Sequence, residues 1–106
     1  MMDVMKVSLE AVAALRGPLT VVRAADVDLH RQIRRAASSM TLNIAEANRR
    51  GGRDRIHQWR VAAGSADEVR AGLYTAIAWG DLEAASVRKP LELIDRVVAM
   101  LWRLTH

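Results

Sequence analysis

Two runs of apolar residues at three- and four-residue intervals, separated by a pair of glycines, constrain the fold more than any other feature of this sequence. Such spacing aligns the apolar side chains along one face of an α-helix. Gly51 and Gly52 suit the end of a helix and leave room only for a short connection, so the two predicted helices must be antiparallel neighbours. The first run consists of Leu29, Ile33, Ala36, Met40, Ile44 and Ala47, and the second of Ile56, Trp59, Ala63, Ala66, Val69 and Leu73.

Weaker signals extend the pattern to four helices, and individual residues mark their ends. Pro18 lacks a backbone donor, so we expect a kink or a short break in the first helix. Either Asp26 or Asp28 can cap the second helix by accepting a hydrogen bond from a free backbone N–H group. Gly80 suits the end of the third helix, and Pro90 either starts or kinks the fourth. The predicted segments cover about residues 4–23, 26–50, 53–79 and 82–104.

The composition favours one helical domain over residues 1–106. Hydrophobic residues make up 51% of the chain, which is enough for a packed core. Strong helix formers such as Ala, Leu, Arg and Glu predominate, and β-branched residues other than Val are scarce. We therefore predict an all-α fold, an antiparallel up-and-down four-helix bundle.

Several kinds of site are disfavoured by what the sequence lacks. Cysteine is absent, so neither disulfides nor thiolate metal sites are expected. A di-iron site in a four-helix bundle needs a His three residues after a Glu, and none of the three His residues has that position. No apolar run approaches the roughly 18 residues of a membrane helix, so the expected location is the cytoplasm. We predict no metal, no cofactor and no catalytic activity.

Positive charge is concentrated in one part of the chain. Residues 31–60 contain eight Arg and only two acidic residues, Glu46 and Asp54. The planar guanidinium group matches the geometry of phosphate, and clustered positive charge gains affinity by releasing counterions from nucleic acid. The candidate residues for binding RNA or DNA are Arg31, Arg34, Arg35, Arg49, Arg50, Arg53, Arg55 and Arg60.

A structural explanation competes with nucleic-acid binding for the same residues. Arg49 and Arg50 follow the predicted second helix, where cations interact favourably with the negative end of the helix dipole. Arg31 and Arg35 lie opposite the apolar stripe, where a charged face needs no function beyond solvation. Both explanations therefore remain open at this point.

Four polar residues lie beside the predicted core. Asn43 and Glu46 are one turn apart in the second helix, and Ser65 and Glu68 occupy similar positions in the third. They could line a polar pocket, but a structural network is the preferred interpretation. In that network Glu46 pairs with an Arg and Asn43 bonds across the bundle, which would select one packing arrangement.

The last helix is apolar over most of its circumference, which indicates burial on more than one side. In so small a bundle, the additional apolar side predicts contact with another subunit. The alternative is a helix that lies centrally within one bundle. The candidate interface residues are Val97, Met100, Leu101 and Trp102.

Short motifs in the second and third helices carry a family resemblance. Residues 32–37 (QIRRAA), residues 43–46 (NIAE), and Gly64-Ser65 with Glu68 resemble motifs of the four-helix-bundle proteins encoded in 23S ribosomal RNA intervening sequences. The resemblance covers about residues 29–101 and implies a bacterial protein that assembles into a ring-like homopentamer. It also implies kinship with accessory proteins of diversity-generating retroelements, which partner a reverse transcriptase and nucleic acid. The family name describes where some of the genes lie, and not a bound RNA.

Two functional hypotheses follow. The first is a non-enzymatic homo-oligomer that presents its arginines to RNA or DNA, as an accessory to an enzyme that acts on nucleic acid. The second is a structural or protein-interaction module whose arginines only keep it soluble. Neither hypothesis involves a membrane or a cofactor.

Overall fold

The computed structural model describes residues 2–106, and these residues form four long α-helices. One residue separates α1 (Asp3–Ala25) from α2 (Val27–Asn48), and three residues separate α2 from α3 (Gly52–Trp79). A turn of 3₁₀ helix, Ala84–Val87, leads into α4 (Arg88–Thr105). The described part of the chain contains no β-strand.

Contacts between helices show an up-and-down arrangement. The Nδ1 atom of His30 lies 3.0 Å from the carbonyl oxygen of Leu19, so α2 runs back along α1. Arg70 on α3 bonds Asp95 on α4 at 2.8 Å, so α4 runs back along α3. Because α4 also contacts α1, the helices close into a bundle of 43 × 22 × 21 Å. The predicted all-α four-helix bundle is confirmed.

The apolar stripes form the core, as their spacing predicts. All six predicted stripe residues of α2 are buried. On α3, Trp59, Ala66, Val69 and Leu73 are buried, whereas Ile56 and Ala63 are only partly covered. Periodicity therefore identified the buried face of both long helices.

Helix ends follow the predicted signals in three places. Asp26 caps α2, because its carboxylate accepts a hydrogen bond of 3.0 Å from the backbone N–H of Leu29. Gly80 ends α3 in the left-handed conformation, with a φ of 83°. Pro90 lies in the first turn of α4, where its missing N–H would have no helical partner in any case.

Two predicted local features differ in the structure. α1 is continuous through Pro18, so the short break, one of the two predicted alternatives, does not occur, because the buried side chains of Leu15 and Leu19 keep both halves packed on the core. The glycine pair does not cap α2 either, since Arg49 follows that helix in the right-handed conformation. Gly52 adopts the left-handed conformation instead, with a φ of 57°, where the chain enters α3.

The closest packing in the bundle is between α2 and α3. Gly72 lies directly against Ile33, and a Cβ atom placed on Gly72 would be 2.5 Å from Ile33 Cγ1. That distance is too short for a real contact, so the side chain of Ile33 occupies the space that any larger residue at position 72 would need. Gly64 lies two turns earlier on α3 and has open space around it.

The two glycines of α3 therefore predict opposite effects of the same substitution. Gly64→Ala should raise the free energy of unfolding by about 0.5–1 kcal/mol, because Ala favours the helical conformation. Gly72→Ala should not raise the free energy of unfolding, because crowding against Ile33 in the packed core costs about 1–3 kcal/mol and offsets the helix preference of Ala. Urea unfolding of both variants checks this, and equal stabilisation by the two substitutions would show that α2 and α3 do not approach this closely.

Candidate nucleic-acid interface

The turn between α2 and α3 collects five of the predicted arginines at one end of the bundle. We call Arg49, Arg50, Arg53, Arg55 and Arg60 the turn arginines. The end of α4 lies at the same end of the bundle, since a guanidinium nitrogen of Arg60 donates to the Thr105 carbonyl oxygen at 3.3 Å.

Two turn arginines share one carboxylate. Arg50 Nε donates to Glu46 Oε1 at 3.0 Å, and a guanidinium nitrogen of Arg49 lies 4.0 Å from the other carboxylate oxygen. The side chain of Arg49 is 81% exposed and that of Arg50 is 43% exposed. Such pairs within one helix contribute only about 0.3–0.5 kcal/mol, so both arginines can exchange Glu46 for another anion at little cost.

Arg55 has a structural role that the sequence pattern assigned to Arg49 and Arg50. Its Nε atom donates to the carbonyl oxygens of Arg50, at 2.7 Å, and of Ala47, at 3.2 Å. Its guanidinium carbon also lies 5.9 Å from the ring centroid of the buried Trp59. Arg55 therefore satisfies carbonyl groups at the end of α2 and fastens the turn to the core.

Arg53 differs from Arg50 and Arg55 because its side chain stabilises no other group of the turn. Its side chain is exposed and has no hydrogen bond or ion pair with any residue in the range 2–106. The acidic residues of this segment are Glu46 and Asp54, so the turn keeps an excess of positive charge. The side chains of Arg49, Arg50 and Arg53 thus bind no backbone carbonyl group and are available to a ligand.

The remaining predicted arginines lie elsewhere on the bundle. Arg31, Arg34 and Arg35 are in the first half of α2, and Arg34 is separated from Arg49 by about 22 Å of helix. Arg31 lies 3.8 Å from Asp28, whereas Arg34 lines a groove between α1 and α2. A single chain therefore divides the eight arginines into two groups and does not form one continuous patch.

Two further arginines were missed by the sequence analysis. Arg16 and Arg23 on α1 line the same groove as Arg34, although they lie outside the basic segment of residues 31–60. Their spacing of seven residues could have identified them, because it places both arginines on one face of a helix.

A polar network links α2 and α3 beside the core, but Ser39, which was not predicted, is its central residue. Asn43 Nδ2 donates to the carbonyl oxygen and the hydroxyl oxygen of Ser39, at 2.8 and 3.0 Å, and so stays on its own helix. Ser39 makes the link across to α3, since its hydroxyl lies 2.9 Å from that of Ser65. Glu46 pairs with Arg49 and Arg50, as predicted. Glu68 is exposed and has no hydrogen bond or ion pair within residues 2–106, so it does not belong to the network.

The predicted interface residues of α4 also separate into two kinds. Val97 and Leu101 are fully buried between α4 and its two neighbours, so a single chain explains their apolar character and they offer no surface to a second subunit. Met100 is partly covered, and Trp102 is 59% exposed. Of the four, Trp102 presents the most surface.

A short seam between α3 and α4 carries two exposed aromatic residues. Arg70 bridges the seam at its middle by bonding Asp95, and this hydrogen bond raises the pKa of the Arg70 guanidinium above its usual value. The register set by this bridge places Tyr74 on one side of it and Trp102 on the other, and Tyr74 is 52% exposed. We call this surface the α3–α4 seam.

The described residues form neither a metal-binding cluster nor a membrane-spanning helix. Among residues 2–106, no three His, Asp or Glu side chains come together to hold a metal ion. None of the four helices is long and apolar enough to cross a membrane.

Comparisons with known proteins agree with this architecture. The model of the family described as 23S rRNA-intervening sequence protein matches residues 2–103. A crystal structure at 1.70 Å resolution, of a protein with unknown function from the S23 ribosomal protein family of Bacteroides thetaiotaomicron, has a TM-score of 0.85 and 20% identity. The match covers 96% of this chain and 97% of that one, and at this identity it shows the fold alone. No curated protein matches the chain.

The contacts of Arg55 and Arg53 lead to a paired prediction. Arg55→Ala should lower the free energy of unfolding by about 1–2 kcal/mol, because it leaves the Arg50 carbonyl oxygen without its donor and removes the contact with the Trp59 ring. Arg53→Ala should change it by less than about 0.5 kcal/mol, as is usual for an exposed side chain without contacts. Urea unfolding monitored by circular dichroism measures both, and similar values for the two variants would remove the structural role of Arg55.

Proposed function

The chain belongs to the 23S rRNA-intervening sequence protein family, and from this premise we propose that it is a non-enzymatic, homo-oligomeric bundle whose turn arginines bind the backbone of RNA or DNA. In this proposal the chemistry belongs to a partner enzyme that acts on the same nucleic acid. The observation that supports it best is the set of exposed guanidinium groups at one end of the bundle, which belong to a segment with eight Arg and two acidic residues.

The geometry of the turn suits a phosphate group. Three neighbouring arginines, Arg49, Arg50 and Arg53, have donors that no backbone group uses. Each can offer two parallel N–H groups to one phosphate. Because Arg55 and Trp59 hold the turn in place, these donors are presented from an ordered connection rather than from a flexible loop.

Assembly of several chains would strengthen such a contact. An individual turn can neutralise only about three phosphates, which gives weak binding at physiological salt. Copies in a ring present several turns to one nucleic acid, and linked contacts increase the overall affinity strongly. We propose a pentamer, as the family resemblance implies, with the α3–α4 seam as a subunit contact because exposed aromatic residues are enriched at interfaces.

Salt dependence tests the nucleic-acid contact directly. Replacing Arg49, Arg50 and Arg53 with Gln leaves the structural Arg55 in place and should weaken binding of short RNA or DNA by 10-fold or more. The slope of log affinity against log salt should become shallower by about 2–3, since each phosphate contact contributes about 0.7–0.9. Fluorescence anisotropy at several salt concentrations measures both quantities.

A matched control separates this contact from the effect of net charge. Arg88, Lys89 and Arg96 on α4 lie away from the turn, are exposed and form no ion pair within the described part of the chain. Their replacement with Gln removes the same charge and should change the affinity by less than about threefold. Absence of binding by the wild-type protein even at low salt would reject the proposal and favour a structural or protein-interaction module.

Light scattering tests the assembly. Wild-type protein should elute with the mass of an oligomer, and Trp102→Glu should shift it towards the monomer, because a charge cannot be buried in an apolar contact without a partner. Trp79→Glu is the control, since Trp79 is also exposed but lies at the other end of the bundle. A monomeric wild-type protein would contradict the oligomer, and an unchanged mass of the Trp102 variant would contradict the seam.

A further inference from the structure

A second basic surface lies on the opposite side of the bundle from the α3–α4 seam. It is an open groove of about 850 Å³ between α1 and α2, and no carboxylate lines it. Its basic residues are Arg16, Arg23, His30 and Arg34.

Contacts between the two helices fix how these residues face one another. His30 lies opposite Leu19, and Thr41 donates to Ser8 in the same antiparallel register. That register places Arg34 opposite Leu15, and therefore next to Arg16 across the groove. Arg23 follows Arg16 on α1 by two helical turns, which is about 10 Å. The groove thus has two cations facing each other at one level and a third further along.

The positive charge of the groove is not compensated within the chain. The side chains of Arg16, Arg23 and Arg34 are exposed and form no hydrogen bond or ion pair with residues 2–106. Other arginines of the bundle do have carboxylate partners, as in the bridge from Arg70 to Asp95. A concave surface that carries one sign of charge concentrates ligands of the opposite sign.

The floor of the groove indicates what else the ligand must contain. Val12 and Ala13 contribute exposed or partly exposed aliphatic groups beside Arg16, and the buried Leu15 and Leu19 lie beneath them. A ligand that fits has anionic groups to meet the arginines and flat apolar groups to cover the floor. A single strand of nucleic acid has both, because its bases are free to leave the stack and lie on apolar or guanidinium surfaces. A duplex keeps its bases inside and is too wide to enter between helices whose axes lie about 8–10 Å apart.

We propose that the α1–α2 groove binds single-stranded nucleic acid, with phosphates held by Arg16, Arg23 and Arg34 and bases lying on the aliphatic floor. This inference rests on the proposed function in that the ligand is again a nucleic acid, but it involves a different set of residues.

The test replaces Arg16, Arg23 and Arg34 with Gln and measures binding of a fluorescent single strand of about ten nucleotides, a length within the range that small domains cover. The groove variant should bind at least 10-fold more weakly, with a slope of log affinity against log salt that is shallower by about 2. The control is the Gln variant of Arg88, Lys89 and Arg96, which should bind within about threefold of wild type. An equal loss in the control would overturn the groove.

Comparison with the turn variant distinguishes the two proposals. If the groove variant binds normally while the turn variant fails, the groove is rejected and the turn interface stands. If only the groove variant fails, the turn is rejected and the groove stands. A duplex of the same length that binds as tightly as the single strand, or an oligoglutamate of equal charge that does so, would overturn the assignment to single-stranded nucleic acid.

A measurement on the wild-type protein removes any dependence on variants that fold poorly. In ¹⁵N-resolved NMR spectra, the guanidinium Nε–H signals of Arg16, Arg23 and Arg34 should shift when the single strand is added. Those of Arg88 and Arg96 should not. Unmoved groove signals at saturation would overturn the proposal.

Discussion

The close contact between α2 and α3 determines the rest of this bundle. It depends on the absence of a side chain at Gly72, which lets Ile33 fill the space between the helices. The three residues from 49 to 51 connect the two helices at the end of the bundle away from this contact. The exposed arginines around that connection project from this end, whereas Arg55 packs back against Trp59.

The contacts of each arginine decide what it can do. Arg55 and Arg60 donate hydrogen bonds to backbone carbonyl groups, so part of the basic segment stabilises the fold. Arg50 shares Glu46 with its neighbour, and that pair is weak enough to be replaced by a phosphate. Arg53 on the turn and Arg34 in the groove have no partner in the described chain. A cluster that looks uniform in the sequence therefore contains both structural and available cations.

The two proposed surfaces differ in character as well as in place. The turn is a convex end that offers guanidinium groups to any phosphate backbone. The groove is concave and has an aliphatic floor, which favours a strand whose bases are exposed. About 22 Å of α2 separates Arg34 from Arg49, so one flexible strand can reach both surfaces, whereas a compact ligand can occupy only one.

Helical periodicity and capping chemistry are local properties, and the sequence by itself determined what depends on them. The buried stripe of α2, the cap at Asp26, the left-handed end at Gly80 and the four-helix class could all be predicted, because each depends on residues within a few positions of one another. The family motifs pointed to the same architecture. The concentration of Arg in residues 31–60 was equally visible.

Only the tertiary structure decided which side chains meet. Leu101 joined the core because α4 packs against two helices, and Arg16 joined Arg34 because α1 and α2 run antiparallel in one register. Ser39 rather than Asn43 reached Ser65, and α1 continued through Pro18 because packing on both sides outweighed one missing hydrogen bond. Each of these outcomes depends on distances between segments far apart in the chain, and those distances exist only after the helices have packed.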